Sequence, residues 1–155
     1  MLAFFEWCEA TALGQLVRDS LWLFPVIESV HLLGLCLLGG SLLVVDLRML
    51  GFGLKRQPVA ELARAIQPWL VASVLVMFLT GSLLFLSEAV KCYYNPSFWV
   101  KMTTLPIALL FTFRVRQPFA LSATDTSAKS GVVAVTSLAL WFTVAAAGRW
   151  IGFSS

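Results

Sequence analysis

The chain contains one histidine, and it lies inside a long apolar run. His31 follows Glu28 by three residues, a spacing that puts both on one helix face with Phe24, Gly34, Leu35 and Leu38. Ionisable side chains in such runs are costly to bury and mark candidate functional positions. Two kinds of chemistry suit this imidazole. It can ligate a metal or a heme iron, with Gly34 leaving room beside the ring for a flat ligand or a neighbouring backbone. Alternatively, it can hold helices together through a hydrogen bond to Glu28 or to a Ser or Thr of another helix. The spacing leaves both open.

Glu28, Glu88, Lys101 and Arg149 form a second set, expected in one half or at one boundary of the same bundle. Opposite charges there can pair, as buried charges require. The plainer expectation is that Lys101 and Arg149 snorkel outward and Glu88 ends a span in the open. Asp46 and Arg48, at the other end of the first span, are expected to form a local interfacial ion pair. Sulfur is thinly spread: Cys8, Cys36 and Cys92 have no C-x-x-C spacing. Cys8 and Cys92 are expected on one outer face, where a disulfide or two free thiols are both open to them, and Cys36 is expected to be a small packing residue. Cys36 with Gly40, and Gly148 with Gly152, have a spacing of small residues that permits close helix approach or self-association. Phosphate-cradling glycine loops, paired-histidine zinc motifs and nucleophile elbows are missing, which disfavours hydrolysis.

The solvent decides which elements position these residues. Of 155 residues, 59% are hydrophobic and only 12% charged, with a mean hydropathy of +0.88. A soluble domain carries about 25% charged residues, so this chain cannot coat a water-facing surface. Its net charge of +3 does not indicate nucleic acid, because the basic residues flank apolar runs instead of clustering among aromatics. Four segments approach the roughly 20 apolar residues that a membrane span needs: about 21–45, 68–90, 98–113 and 131–151. Pro68, Pro96 and the stretch Ser122 to Ser130 mark the breaks. Strands are excluded, since an open sheet cannot satisfy its edges in hydrocarbon.

Residues 2–17 repeat apolar positions at helical spacing and are expected to lie in the membrane interface. Glu6, Glu9 and Asp19, with no basic leader before them, do not fit a cleaved signal. The stretch Leu54 to Gln67 predicts a short surface helix between two prolines. Lys91 to Ser97 places Tyr93 and Tyr94, with Trp99, at headgroup level. Arg48, Lys55, Arg56, Arg64, Arg114, Arg116 and Lys129 fall on one side, and Arg18, Lys91, Lys101 and Arg149 on the other. Seven against four puts the first and third connections in the cytoplasm and both termini outside, that is, periplasmic in a bacterial inner membrane. The expected fold is an all-α, integral membrane four-helix bundle with an N-terminal amphipathic interfacial helix, one domain over 1–155. Its expected partners are the lipid bilayer and either further copies of itself or a membrane complex.

The stretch from His31 to Arg48 (HLLGLCLLGGSLLVVDLR), the run Leu79 to Leu86 (LTGSLLFL) and Phe98-Trp-Val-Lys101 occur in that order. Together they resemble an uncharacterised family of short bacterial four-helix membrane proteins, over most of Leu21 to Phe153. More distantly, this order is similar to CopD-like copper-resistance membrane domains and to heme-containing protoporphyrinogen oxidases of the HemJ type. The second likeness implies a heme b site in which His31 and Lys101 match the residues that matter for the heme. The chain has no second histidine, and the further His and Met ligands of a copper carrier are missing. Three functions are carried forward: a heme b redox protein with His31 as axial ligand, a non-enzymatic scaffold or accessory subunit of a membrane complex, and a proton or small-solute pathway through Glu28, His31 and Glu88.

Overall fold

The computed structural model describes residues 1–54, 56–123 and 127–153. Lys55, counted above among the cytoplasmic cations, and residues 124–126, inside the Ser122 to Ser130 break, lie outside the described residues. Everything described is helix or connection: α1 (Leu2–Glu9), α2 (Ala12–Asp19), α3 (Leu23–Met49), α4 (Val59–Ser87), α5 (Ala89–Tyr94), α6 (Pro96–Phe111), a π-helical turn (Thr112–Arg116), α7 (Gln117–Ser122) and α8 (Ala128–Phe153). Four stretches are long and apolar enough to cross a membrane: Leu23–Met49, Val59–Ser87, Pro96–Ser122 and Ala128–Phe153. They form two close pairs, α3 with α4 and α6 with α8, and α3 also packs on α8. Large apolar side chains such as Leu33, Leu75, Phe78, Leu110 and Phe142 face outward, as lipid-facing residues do.

The spans overrun their predicted ends, and lipid accounts for that. Helix α4 begins at Val59 and continues through Pro68, absorbing the surface helix predicted between Leu54 and Gln67. The third span runs from Pro96 through Pro106 to Ser122 instead of stopping at Phe113. A proline withholds one helical hydrogen bond, but in hydrocarbon the alternative is to leave several backbone groups unpaired. The π turn precedes Pro118 and is closed by the Gln117 N–H bonding to the Thr112 carbonyl, five residues back. Helix α3 ends where Gly51 takes a φ of +84°, so the Gly51 N–H returns to Arg48 and the Phe52 N–H to Leu47 at 2.8 Å. A side chain at position 51 would be strained there.

The predicted N-terminal helix is two helices that dock on the bundle. Thr11 breaks it and caps α2, its hydroxyl oxygen accepting the Gly14 N–H at 3.2 Å. Phe5 and Cys8 are buried in a cluster with Ala89, Cys92 and Phe98, while Phe4, Trp7, Leu13 and Leu16 face outward, where an interfacial helix presents its apolar side. Glu9 fastens the arrangement: it accepts the Val90 N–H at 2.7 Å, one of the unpaired donors opening α5, and it ion-pairs with Arg18. Helices α1, α2 and α5 and the last turns of α8 thus share one end, here called upper. The lower end carries the α3–α4 connection and α7.

Candidate functional site: two polar levels in the bundle

The upper level is built around His31. Its Nδ1 lies 2.7 Å from the Thr80 hydroxyl on α4. That hydroxyl has one hydrogen, and it is donated to the Val76 carbonyl at 2.6 Å. With the hydrogen so placed, Thr80 accepts at the imidazole and the ring proton is on Nδ1. Nε2 has no partner among the described residues. Gly81 gives the ring its place: a Cβ there would stand 3.2 Å from His31 Cε1, too close without the ring moving. Lys101, half-buried on α6, lies along α8, where a Cβ at Gly148 would be 3.4 Å from Nζ. Among the described residues it has no carboxylate within 4 Å. All four spans contribute a residue to this level.

The lower level is ionic. Arg116, at the end of the π turn, is 1% exposed and Asp46 on α3 is 0% exposed. Arg116 Nε donates to Asp46 Oδ1 at 2.8 Å, Nη2 to the Leu42 carbonyl at 3.1 Å and Nη1 to Gln117 Oε1 at 3.1 Å. Ser137 on α8 donates to Asp46 Oδ2 at 2.7 Å. An arginine only donates, so the Gln117 amide is oriented by chemistry, and its Nε2 is buried without a protein partner among the described residues. Close by, the Trp141 indole donates to Thr112 at 2.9 Å and Ser130 to the Met49 carbonyl at 2.9 Å. Between the two levels lies an apolar layer of Leu38, Leu42 and Leu70, with Val74, Met77 and Trp141 against it.

The model of a family described as a family of unknown function (DUF6644) matches residues 4–154, a stretch that includes both polar levels and all the helices except the first two residues of α1. The chain belongs to that family. No curated protein and no solved structure matches it.

Within this family member, the structure regroups the residues singled out from sequence. It sets His31 against Thr80 and Gly81, with an interhelical hydrogen bond to the threonine, and lays Lys101 along α8 at Gly148. Glu28 does not join them: its side chain is exposed. Gly34 faces α4, where a Cβ would meet Val76 Cγ1 at 3.1 Å and Met77 Sδ at 3.3 Å. The wider charge set is dispersed. Glu88 lies 3.8 Å from Lys91, and Arg149 stacks on the Phe153 ring at 4.2 Å. Asp46 and Arg48 do not pair: Asp46 binds Arg116, while Arg48 Nε donates to the Gln57 carbonyl at 2.8 Å. Cys36 is exposed, and Cys8 and Cys92 are free thiols in one buried cluster. Among the described residues no three His, Cys, Asp or Glu side chains gather as a metal site would need. Sequence reasoning missed Thr80, Gly81, Ser137 and Gln117 as parts of these levels. A threonine-glycine step at the depth of the histidine was the available signal for the first two.

Proposed function

We propose that this chain is a small redox protein of the bacterial inner membrane that holds heme b in the upper half of its bundle, with His31 as an axial ligand. The observation that supports it is the 2.7 Å hydrogen bond between His31 Nδ1 and the Thr80 hydroxyl. A metal-ligating histidine almost always donates its other ring N–H to a fixed acceptor, and Thr80 can be that acceptor, leaving Nε2 for the iron. The residues that would hold the group are His31, whose imidazole would ligate the iron, and Lys101, whose amine is at the same level of the bundle. Heme would supply one-electron exchange, its potential set by axial ligation and burial. The protein residues that fix the imidazole are Thr80, through its hydrogen bond to Nδ1, and Gly81, which makes room for the ring. The cation distribution favours both termini on the periplasmic side, with the ionic level toward the cytoplasm.

The visible spectrum of the purified protein tests this reading. A Soret band is expected, lost in His31→Ala and shifted in Thr80→Val, which removes the acceptor without changing the shape of the side chain. A colourless preparation that is fully helical and monodisperse, and that takes up no added heme, overturns it. The accessory-subunit reading is supported by a different observation: Glu28 is a carboxylate on the open face of a span, which asks for a protein neighbour.

A further inference from the structure

Glu28 and Asp46 are 18 residues apart on α3, about five helical turns, so they leave the helix in the same direction. At the lower end that direction is closed: Asp46 meets Arg116 and Ser137 and is buried. At the upper end it is open. Glu28 is exposed and has neither an ion pair nor a hydrogen bond among the described residues. A Cβ on Gly39, on nearly the same face, would meet nothing within 4 Å. The seam between α3 and α8 is therefore sealed below and unfilled above.

Depth makes the exposed carboxylate consequential. Glu28 lies five residues past Leu23, where α3 starts, roughly 7.5 Å down the span. A charge there, facing hydrocarbon, is costly unless a counter-charge meets it. The chain carries a cation at matching depth. Arg149 lies four residues before Phe153, where α8 ends, roughly 6 Å down. It too is exposed, and its guanidinium rests on an aromatic ring with no carboxylate within 4 Å among the described residues. The two residues stand on neighbouring helices that already pack together lower down. Both halves of an ion pair are thus exposed on neighbouring helices without meeting within the chain. A two-fold interface can use such a pair, since residue i of each copy then meets residue j of the other.

We propose that two copies of this chain associate along the upper halves of α3 and α8, with Glu28 of each meeting Arg149 of the other. Each copy fills the seam the other leaves open, and both charges are neutralised at the depth where they are costly. A second copy is favoured over a lipid or another subunit because the required cation, at the required depth, is supplied by the same sequence. The association does not depend on what His31 binds.

The test is the dissociation of fluorophore-labelled protein in liposomes, followed by single-molecule photobleaching as lipid is added. Wild-type protein should give two-step bleaching at low dilution. Glu28→Arg and Arg149→Glu should each weaken the dimer about tenfold or more, as expected for like charges brought together, and the double reversal should recover most of that loss. Circular dichroism shows whether each variant folds; if a reversal does not, Glu28→Gln and Arg149→Gln should each weaken the dimer to a smaller degree. The proposal is overturned if wild-type protein is monomeric at every lipid ratio, if neutralising Glu28 changes nothing, or if the double reversal is as weak as the singles. A monomeric wild type would assign Glu28 to a different partner.

Discussion

At the residue scale, small differences in side-chain chemistry decide what a buried group can do. Position 80 gives His31 Nδ1 its hydrogen-bond partner, which valine, of the same shape, would not supply. Cys92 shows the opposite effect. It sits outside the spans, against Phe5, Cys8 and Phe98, and burial, reinforced by the charge of Glu88, pushes its thiol up to about 11 from an ordinary 9.0. Two consequences follow. The thiolate is the reactive form, so in a Cys8→Ser, Cys36→Ser background Cys92 should alkylate about a hundredfold more slowly at pH 8 than a thiol of ordinary pKa, with the rate still rising toward pH 11. The linkage has a definite sign: the folded state holds this proton more tightly than the unfolded one, so stability falls as pH rises from about 9 toward 11. A rate profile with its midpoint near 9 would mean that the α1–α5 cluster is open to water.

At the element scale, the spans were legible and their joints were not. Lipid requires long apolar helices, so hydropathy alone locates all four. Where they stop depends on contacts that hydropathy does not record, which is why α4 starts at Val59, before Pro68, and the third span continues to Ser122. Arg116 is the instructive case. Counting cations treats it as a residue of the interface, yet the π turn rotates it inward to Asp46, and nothing local in the sequence announces that turn. The pair joins α3 to the third span, while Ser137 brings in α8, so it fixes the register of three helices at once. Removing one partner strands a buried charge, which costs about 3–5 kcal/mol, whereas replacing both with apolar residues of similar size is often neutral. Arg116→Met should therefore lose most of the stability that Asp46→Leu/Arg116→Met regains, measured by unfolding in mixed micelles. Equal losses in single and double variants would show that the guanidinium serves mainly through its contacts to Leu42 and Gln117.

At the scale of the whole molecule, the sequence identified the histidine and the lysine because both are rare in apolar runs. It did not reveal their surroundings, because helix rotation decides which of Glu28, Gly34 or a residue of α4 faces the ring. Rotation also separates the bundle into two polar levels. His31 and Asp46 are 15 residues apart on α3, roughly 22 Å, and the layer of Leu38, Leu42 and Leu70 lies between them. Substitutions at sites more than about 10 Å apart that share no partners add to within about 0.5 kcal/mol. Thr80→Val and Ser137→Ala meet both conditions, one facing an imidazole and the other a carboxylate. Their effects on unfolding should sum in the double variant, and Ser137→Ala should leave the absorption spectrum of the upper level untouched. Coupling well above that margin, or a spectral shift on changing Ser137, would mean that α8 transmits a rearrangement between the levels, which would bring the accessory-subunit and pathway readings ahead of a self-contained redox site.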